Sequence, residues 1–517
     1  MSLEASPVSS GRNGQRDPAY HPLDPNMVKE EWMIQSVGID FHGGLHQARC
    51  LDERAQLCDG FSFRTTLQGL ATLEEHIFRD GSTPIVVFEP MGLAWLIVAA
   101  YLRARHPGCR LVKAKGQKVA ALRRYLRGSA KSDRIDAITL AKMPFIDPEQ
   151  LVEVYLPPPE VHALQRLTRQ RQRLEGEVVA RKNRIGRIVD GYLPGVREAF
   201  SSPWSLQARA FLRSQLDPFS VVCAGEEALH TFLTKARSRS RGDKGETHPV
   251  YLACQNVAAL YELSRSAGGV DEGFFADLQE EIARELRLME AEEAESEALS
   301  LRIEELYKKL HTSDNLRTIP GVGEHTAPVF LAIVGDPARF GSQAAFANWT
   351  GVVPGARQSS DVEAKGLRMT KAGPPIIRWA LYQAGQIGRR YDPQLAWVYY
   401  REMVHHGKNH KQAMGAVMSH LAARVLTVLR EGRPYELRDA EGKPVSREEA
   451  RGLLSRYRVP EEIRREKRRR NPAKGSGRTL RKKAQGMASH RTSEAADAPQ
   501  PAVATAIPHE PVYRGSA

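Results

Sequence analysis

The stretch MIQSVGIDFHGGLHQARCLDERAQLCDGFSFRTT, residues 33–66, decides the fold. It holds three short apolar runs, MIQSVGIDFH, HQARCLD and LCDGFSFRTT, separated by two pieces of turn chemistry, Gly43-Gly44 and Glu53-Arg54. Runs of this length with such short connections predict an antiparallel meander of three strands. Beyond it the pattern changes. A helical stretch over residues 67–78 leads into the apolar strand PIVVFEP (84–90). A helix over 93–105, the short strand CRLVKA (109–114) and two helical pieces over 117–127 and 132–142 follow.

A meander followed by alternating helix and parallel strand is an α/β arrangement of the RNase H type, assigned here to residues 32–150. Before it, residues 1–31 are rich in Ser, Pro, Gly and Asn and read as a disordered leader. After the Leu156-Pro157-Pro158-Pro159 break, residues 161–189 read as a basic amphipathic helix, with Leu164, Leu167, Leu174, Val178, Ile185 and Ile188 at helical spacing. A second, Glu-rich helix over 275–310 has complementary charge, so the two predict a long antiparallel coiled coil. Residues 194–273 between them form a helical insertion that carries the basic loop SRSRGDKGETH (238–248), and the region spans 155–314. A mainly helical domain is expected at 315–435. The remainder, 436–517, holds EEIRREKRRRNPAKGSGRTLRKK and an Ala/Pro/Ser-rich end, and reads as a basic, largely disordered tail.

Composition narrows the function classes. The chain of 517 residues carries 75 Lys and Arg against 61 Asp and Glu, a net charge of +14, which favours a polyanionic partner through counterion release. Cys50, Cys58, Cys109, Cys223 and Cys254 lie far apart, are odd in number and form no CxxC pair, which suggests neither a disulfide framework nor a zinc ribbon and fits a reducing cytoplasm. No run of about 18 apolar residues marks a membrane span, and the first residues lack the apolar core of a signal peptide.

Four acids carry the chemistry. Asp40 ends the strand SVGID and Glu89 the strand IVVFE, so both sit at the ligand edge of the sheet, while Asp133 and Asp136 in KSDRIDAITLA share one helical face. Four carboxylates suit a pair of Mg²⁺ ions about 4 Å apart, and phosphoryl transfer is the natural chemistry of such a pair. Among other motifs, IPGVG (319–323) is either a helix-hairpin-helix turn presenting backbone N–H groups to phosphate or a tight helix connection. His405, His406 and His410 in HHGKNHKQA lack a Cys or further acid to complete a metal site, and His42 reads as a polar strand-end residue.

The segments VGIDFHGGLHQARCLD, VVFEPMG, KGQKVAALRRYLRGSAKSDRIDAITLA and IPGVGEHTAPVFLAIVGDPARFGSQAAFANWTGVVPGARQSS occur in this order. Together they resemble the DEDD transposases of the bridge-RNA-guided insertion sequences, relatives of the Piv-type DNA invertases, over residues 37–429. The resemblance implies a RuvC-like N-terminal domain in which Asp40, Glu89, Asp133 and Asp136 bind metal. It also implies a C-terminal domain in which Ser359 attacks DNA to form a phosphoserine link. Relatives have Ser followed by Gly, whereas this chain has Ser359-Ser360-Asp361, so Ser360 is an alternative nucleophile one register away. Lys365, Arg368, Lys371 and Arg378 match the basic stretch that follows the serine, and Lys131, Arg134, Arg169, Arg173 and Arg181 are the further residues expected to bind nucleic acid.

By the same resemblance the protein excises and inserts its element as a dimer or tetramer, with an active site composed across domains or subunits. An element-encoded guide RNA pairs with donor and target DNA, and the work is done in the bacterial cytoplasm, near the nucleoid and away from membranes. Two other readings stay open: a site-specific invertase or junction-resolving nuclease, and a catalytically idle nucleic-acid-binding protein of the same fold.

Overall fold

The computed structural model describes residues 33–90, 92–236, 246–265, 272–355, 358–359, 362–363 and 367–470. The chain divides into two compact units that meet in sequence at Pro157 and Pro158.

In the first unit, strands β1 (Ser36–Asp40), β2 (His46–Leu51) and β3 (Leu57–Phe63) form the antiparallel meander. Strands β4 (Ile85–Phe88) and β5 (Arg110–Lys113) continue the sheet in parallel from the other side of β1. A sixth strand, β6 (Val152–Glu153), pairs antiparallel with β5, giving the order β3-β2-β1-β4-β5-β6. The sheet thus runs past residue 150, where the sequence pattern ends the domain, and Val154 still donates its N–H to Leu111. Helices α1 (Leu67–Ile77), α2 (Ala94–Arg105), α3 (Gly116–Arg127) and α4 (Asp133–Ile146) connect and cover the strands. Alternation along β4 divides its residues between two cores. Val86 and Phe88 pack with Ile39, Leu73 and Ile77, and Val87 packs with Val112 and Leu140.

Helix α4 lies unusually close to β1. A Cβ placed on Gly38 would fall 2.0 Å from the carbonyl oxygen of Ala137 and 2.4 Å from the amide nitrogen of Ala141, so only glycine lets this strand and helix meet backbone to backbone. Ser36 fixes the same register by donating its hydroxyl to the Ala141 carbonyl at 2.8 Å. Gly38→Ala is therefore expected to cost at least about 2 kcal/mol, because neither backbone can yield locally. The check is a lower denaturant midpoint with an unchanged slope.

The second unit is built on helices α5 (Pro159–Tyr192) and α11 (Glu272–Leu310), 34 and 39 residues long. Proline at the first helical position starts α5 two residues earlier than its apolar pattern does, since that position needs no N–H donor. The two helices run antiparallel: Leu164 packs with Leu299 and Ile303 near one end, and Ile185 and Val189 pack with Ile282 and Leu286 near the other. Helices α6 (Val196–Ala199), α7 (Leu206–Ser214), α8 (Pro218–Ala224), α9 (Glu226–Lys235) and α10 (Thr247–Arg265) form the insertion, and Phe211, Leu212, Leu229 and Val257 join its core to that of the long pair. Most of the basic loop at 238–248 lies outside the described residues.

Helices α12 (Ala327–Val334), α13 (Gln343–Thr350), α14 (Pro375–Gly388), α15 (Pro393–Tyr400) and α16 (His410–Glu431) make a helical core that shares Ile333, Phe346, Leu381, Leu395, Leu421 and Val425. Among the described residues, α16 is the one helix long and apolar enough to cross a membrane, and it is the central helix of this core. A short hairpin of β7 (Gln358–Ser359) and β8 (Val362–Glu363) stands between α13 and α14.

One expectation is corrected here, and one alternative left open by the sequence gains a geometric observation. Residues 436–470, taken from composition as the start of the disordered tail, fold into α17 (Arg447–Arg456) and α18 (Glu461–Arg470), with Val459 and Ile463 packed on the helical core. The remainder of that tail lies outside the described residues. In the IPGVG turn, Gly321 has φ +89° and a Cβ there would meet the Ala384 carbonyl at 2.2 Å, so this glycine serves a tight helix connection against α14.

Candidate active site

Pairing along β1 brings the first two acids together. Ile39 lies beside Phe88 in the parallel pair, so the next residues, Asp40 and Glu89, leave adjacent strand ends on the same sheet edge. Neighbouring strands are about 4.8 Å apart. Helix α4 delivers the other two by register. Two residues of strand advance about 6.6 Å and one helical turn about 5.4 Å, so the helix keeps pace with the strand. Ser36 meets Ala141, Gly38 meets Ala137 and Ala141, and Asp40 falls within the field of Asp136 and Asp133. Ser132 caps α4 by accepting from the Ile135 amide, and both aspartates lie in the first turn, where the helix dipole favours negative charge.

The pocket is strongly anionic. Burial first, then Asp136, Asp133 and Glu89, push the Asp40 carboxyl from its ordinary 3.8 up to about 6, with His42 opposing. Glu89 is raised in the same way by burial and Asp136, against the pull of Arg123 and Lys131. Arg123 holds Asp136 in an ion pair at 2.6 Å, with side-chain exposures of 19% and 13%. Sequence reasoning missed this arginine, although a signal exists: Gly116, Val119 and Arg123 share one face of α3, and Val119 is its buried residue.

Gly116 makes room for Glu89. A Cβ there would lie 2.2 Å from the Glu89 Oε1. Because that oxygen ends a flexible side chain, Gly116→Ala is expected to leave the fold within about 1 kcal/mol of wild type while displacing the carboxylate. The check is a higher Mg²⁺ requirement for activity at an unchanged melting temperature.

Among the described residues no three His, Cys, Asp or Glu side chains converge to metal-ligating distance. The donor set nevertheless fits a divalent cation in kind: all four groups are hard carboxylate oxygens, and burial followed by their mutual repulsion raises two of them.

The other expected residues are distributed as follows. Lys131 and Arg134 are exposed beside the acids, and Arg169 and Arg173 are exposed on α5. Arg181 is a correction: its guanidinium is held by Glu285 at 3.0 Å and Glu292 at 2.8 Å, so it ties the two long helices together and its charge is already paired. Arg378 is likewise engaged by the fold, donating to the carbonyls of Gly373 and Thr350. Lys371 is exposed at φ +55° and Arg368 is exposed, with its carbonyl accepting from Gly355 at 2.9 Å. The backbone of Ser359 lies in β7, paired with Val362, whereas Ser360 and Lys365 fall outside the described residues. Of the histidines, His406 meets the buried Glu402 together with Lys408, and His410 bridges Tyr399 and Gln386 at 2.8 Å each.

Two family models match the chain. A transposase model of the DEDD, IS110 type covers residues 37–194, and a model described as transposase, IS116/IS110/IS902 family, covers residues 313–400. The first segment contains all four acids and the second contains Ser359 and the basic residues after it. An uncharacterized 43.6 kDa protein of the insertion element IS110 from Streptomyces coelicolor is 23% identical over 373 residues, which is 72% of this chain and 88% of that protein. Pilin gene-inverting proteins of Moraxella bovis and Moraxella lacunata are each 32% identical, over 130 and 125 residues, or 40% and 38% of their own lengths.

Proposed function

Because the chain belongs to the IS110 family of transposases and is a DNA transposase or recombinase, we propose that it excises and inserts a mobile DNA element by cutting and rejoining strands in a RuvC-like domain. The observation that carries this reading is the gathering of Asp40, Glu89, Asp133 and Asp136 at one sheet edge, where their charges act on one another. These four residues would hold magnesium, a hard cation that their oxygens suit, and magnesium bound there would supply Lewis-acid polarisation and neutralise charge at phosphate. Arg123 keeps Asp136 oriented, and Lys131 and Arg134 offer positive charge to the strand being cut.

In the C-terminal domain the hydroxyl of Ser359, or of Ser360 one register on, attacks the scissile phosphorus. A phosphorus–Oγ bond forms, the bond to a deoxyribose oxygen breaks, and that oxygen takes up the proton that serine gives up. The phosphoserine link conserves the bond energy for rejoining. An RNA from the element guides the choice of donor and target, which lets the protein grip backbones through exposed basic residues and not read bases. The working form is a dimer or tetramer acting at the nucleoid. DNA inversion is the second reading, favoured by the 32% identity to pilin gene-inverting proteins over the segment of 130 residues.

Glu89→Gln tests the proposal. With element-end DNA and Mg²⁺, wild type is expected to release nicked strands and the variant none, with equal DNA binding in both. Cleavage by wild type in chelator would overturn the reading.

A further inference from the structure

We propose that the face where α14 and α15 meet α17 and α18 is a second DNA-backbone site, an arginine-lined pocket that seats one phosphate away from the cutting centre. The pocket has a volume of about 140 Å³ and is lined by Arg389, Arg390, Arg458 and Arg464 around Tyr399 and Tyr457, with no carboxylate in its wall. Among the described residues none of these four arginines forms an ion pair with an acid, whereas the neighbouring Arg465 pairs with Glu461.

The arrangement is built and not a chance surface cluster. Arg389 lies over the Tyr399 ring at 4.3 Å and donates twice to Gln386 Oε1 at 3.2 Å, so its guanidinium is held in one orientation. Tyr399 is 6% exposed and its hydroxyl is fixed by His410 at 2.8 Å. On the other wall, buried Val459 and the packed Ile463 anchor the chain on either side of the turn into α18, which places Arg458 and Arg464. Burial lowers the Arg389 pKa, with Tyr399 opposing and the positive charges of Arg390 and Arg464 adding to the shift.

Such a cluster costs free energy in a half-buried pocket unless an anion occupies it, and guanidinium groups bind phosphate oxygens in pairs. The anion expected is a DNA phosphodiester, since a DNA recombinase presents its surfaces to a polymer of phosphates and contacts of this kind fix its register without reading sequence. The pocket is also composite. Arg389, Arg390 and Tyr399 fall inside the matched segment 313–400, while Arg458 and Arg464 come from the folded extension beyond it, so the extension completes a site that the family domain begins.

The test is DNA binding by the full chain, read by fluorescence anisotropy against salt, for wild type, Arg390→Gln/Arg458→Gln, Arg464→Lys and, as a control away from the pocket, Arg447→Gln. Loss of one phosphate contact is expected to lower the slope of log affinity against log salt by about 0.9 in the double variant. Arg464→Lys, which keeps the charge and loses the paired geometry, is expected to weaken binding with an unchanged slope, and Arg447→Gln to match wild type. An unchanged slope in the double variant would overturn this site while leaving the proposed function standing. A slope that falls with an RNA oligonucleotide and not with DNA would overturn the assignment to DNA. This inference rests on the chain acting on DNA, and failure of wild type to bind DNA at all would sink that reading instead.

Discussion

Asp40→Asn is expected to abolish strand cleavage and, at the same time, to make the protein more stable at neutral pH. The loss follows from removing one of the four carboxylates proposed to hold magnesium, and several kcal/mol of transition-state stabilisation correspond to about 10³-fold in rate. The gain follows from the same charge. In the folded chain the Asp40 carboxyl titrates near 6 instead of 3.8, so folding disfavours its ionised form. A group raised in this way contributes its stability below the unfolded value and loses it as pH rises through the folded one. Asp40 therefore costs wild type stability between pH 3.8 and about 6, a contribution that the variant lacks. The full shift would be worth about 3 kcal/mol, and partial solvent screening reduces the expected gain to about 1–2 kcal/mol above pH 6. Thermal melts without divalent cation, at neutral pH and near pH 4, measure it. A variant no more stable than wild type at neutral pH would mean that burial and the neighbouring acids do not disfavour the Asp40 charge as described. Added Mg²⁺ is expected to raise the melting temperature of wild type and leave the variant unmoved.

Replacing the nucleophile is expected to have the other large effect. Either Ser359→Ala or Ser360→Ala should remove the covalent protein–DNA species altogether, because deletion of a catalytic serine costs on the order of 10⁴- to 10⁶-fold. The rival variant should retain the species. Ser359 pairs through its backbone with Val362 in the β7–β8 hairpin, a pairing that alanine keeps, and the melting temperature is expected to stay within about 1 °C. Strand breaks made by wild type with no protein attached would assign attack to water and refute the phosphoserine proposal.

The strands that position the acids were legible in the sequence because their period and turn residues are local signals, and so was the placement of Asp40 and Glu89 at strand ends. What stayed hidden depends on partners far away in sequence. Arg181 lies among many basic residues on α5, and its acids, Glu285 and Glu292, lie on a helix about a hundred residues later, so its role in holding the long helices together has no local mark. Arg123 reads as one charge among several in LRRYLR until α4 brings Asp136 beside it. Strand β6 is two residues long, too short to show alternation. The folded extension was masked by composition: α18 is dominated by Arg and Glu, and a few apolar residues, Ala450, Val459 and Ile463, betray the buried face. Gly38 and Gly116 show the converse, since each glycine is explained by a helix or side chain that approaches it from elsewhere in the fold.

The most direct test of the carboxylate centre compares wild type and Asp40→Asn on one element-end DNA, in Mg²⁺ and in chelator, with strand breaks read on a denaturing gel and DNA binding measured in parallel. The account expects breaks with wild type in Mg²⁺ alone and none with the variant, at equal binding. Strand breaks by Asp40→Asn at the wild-type rate would contradict it.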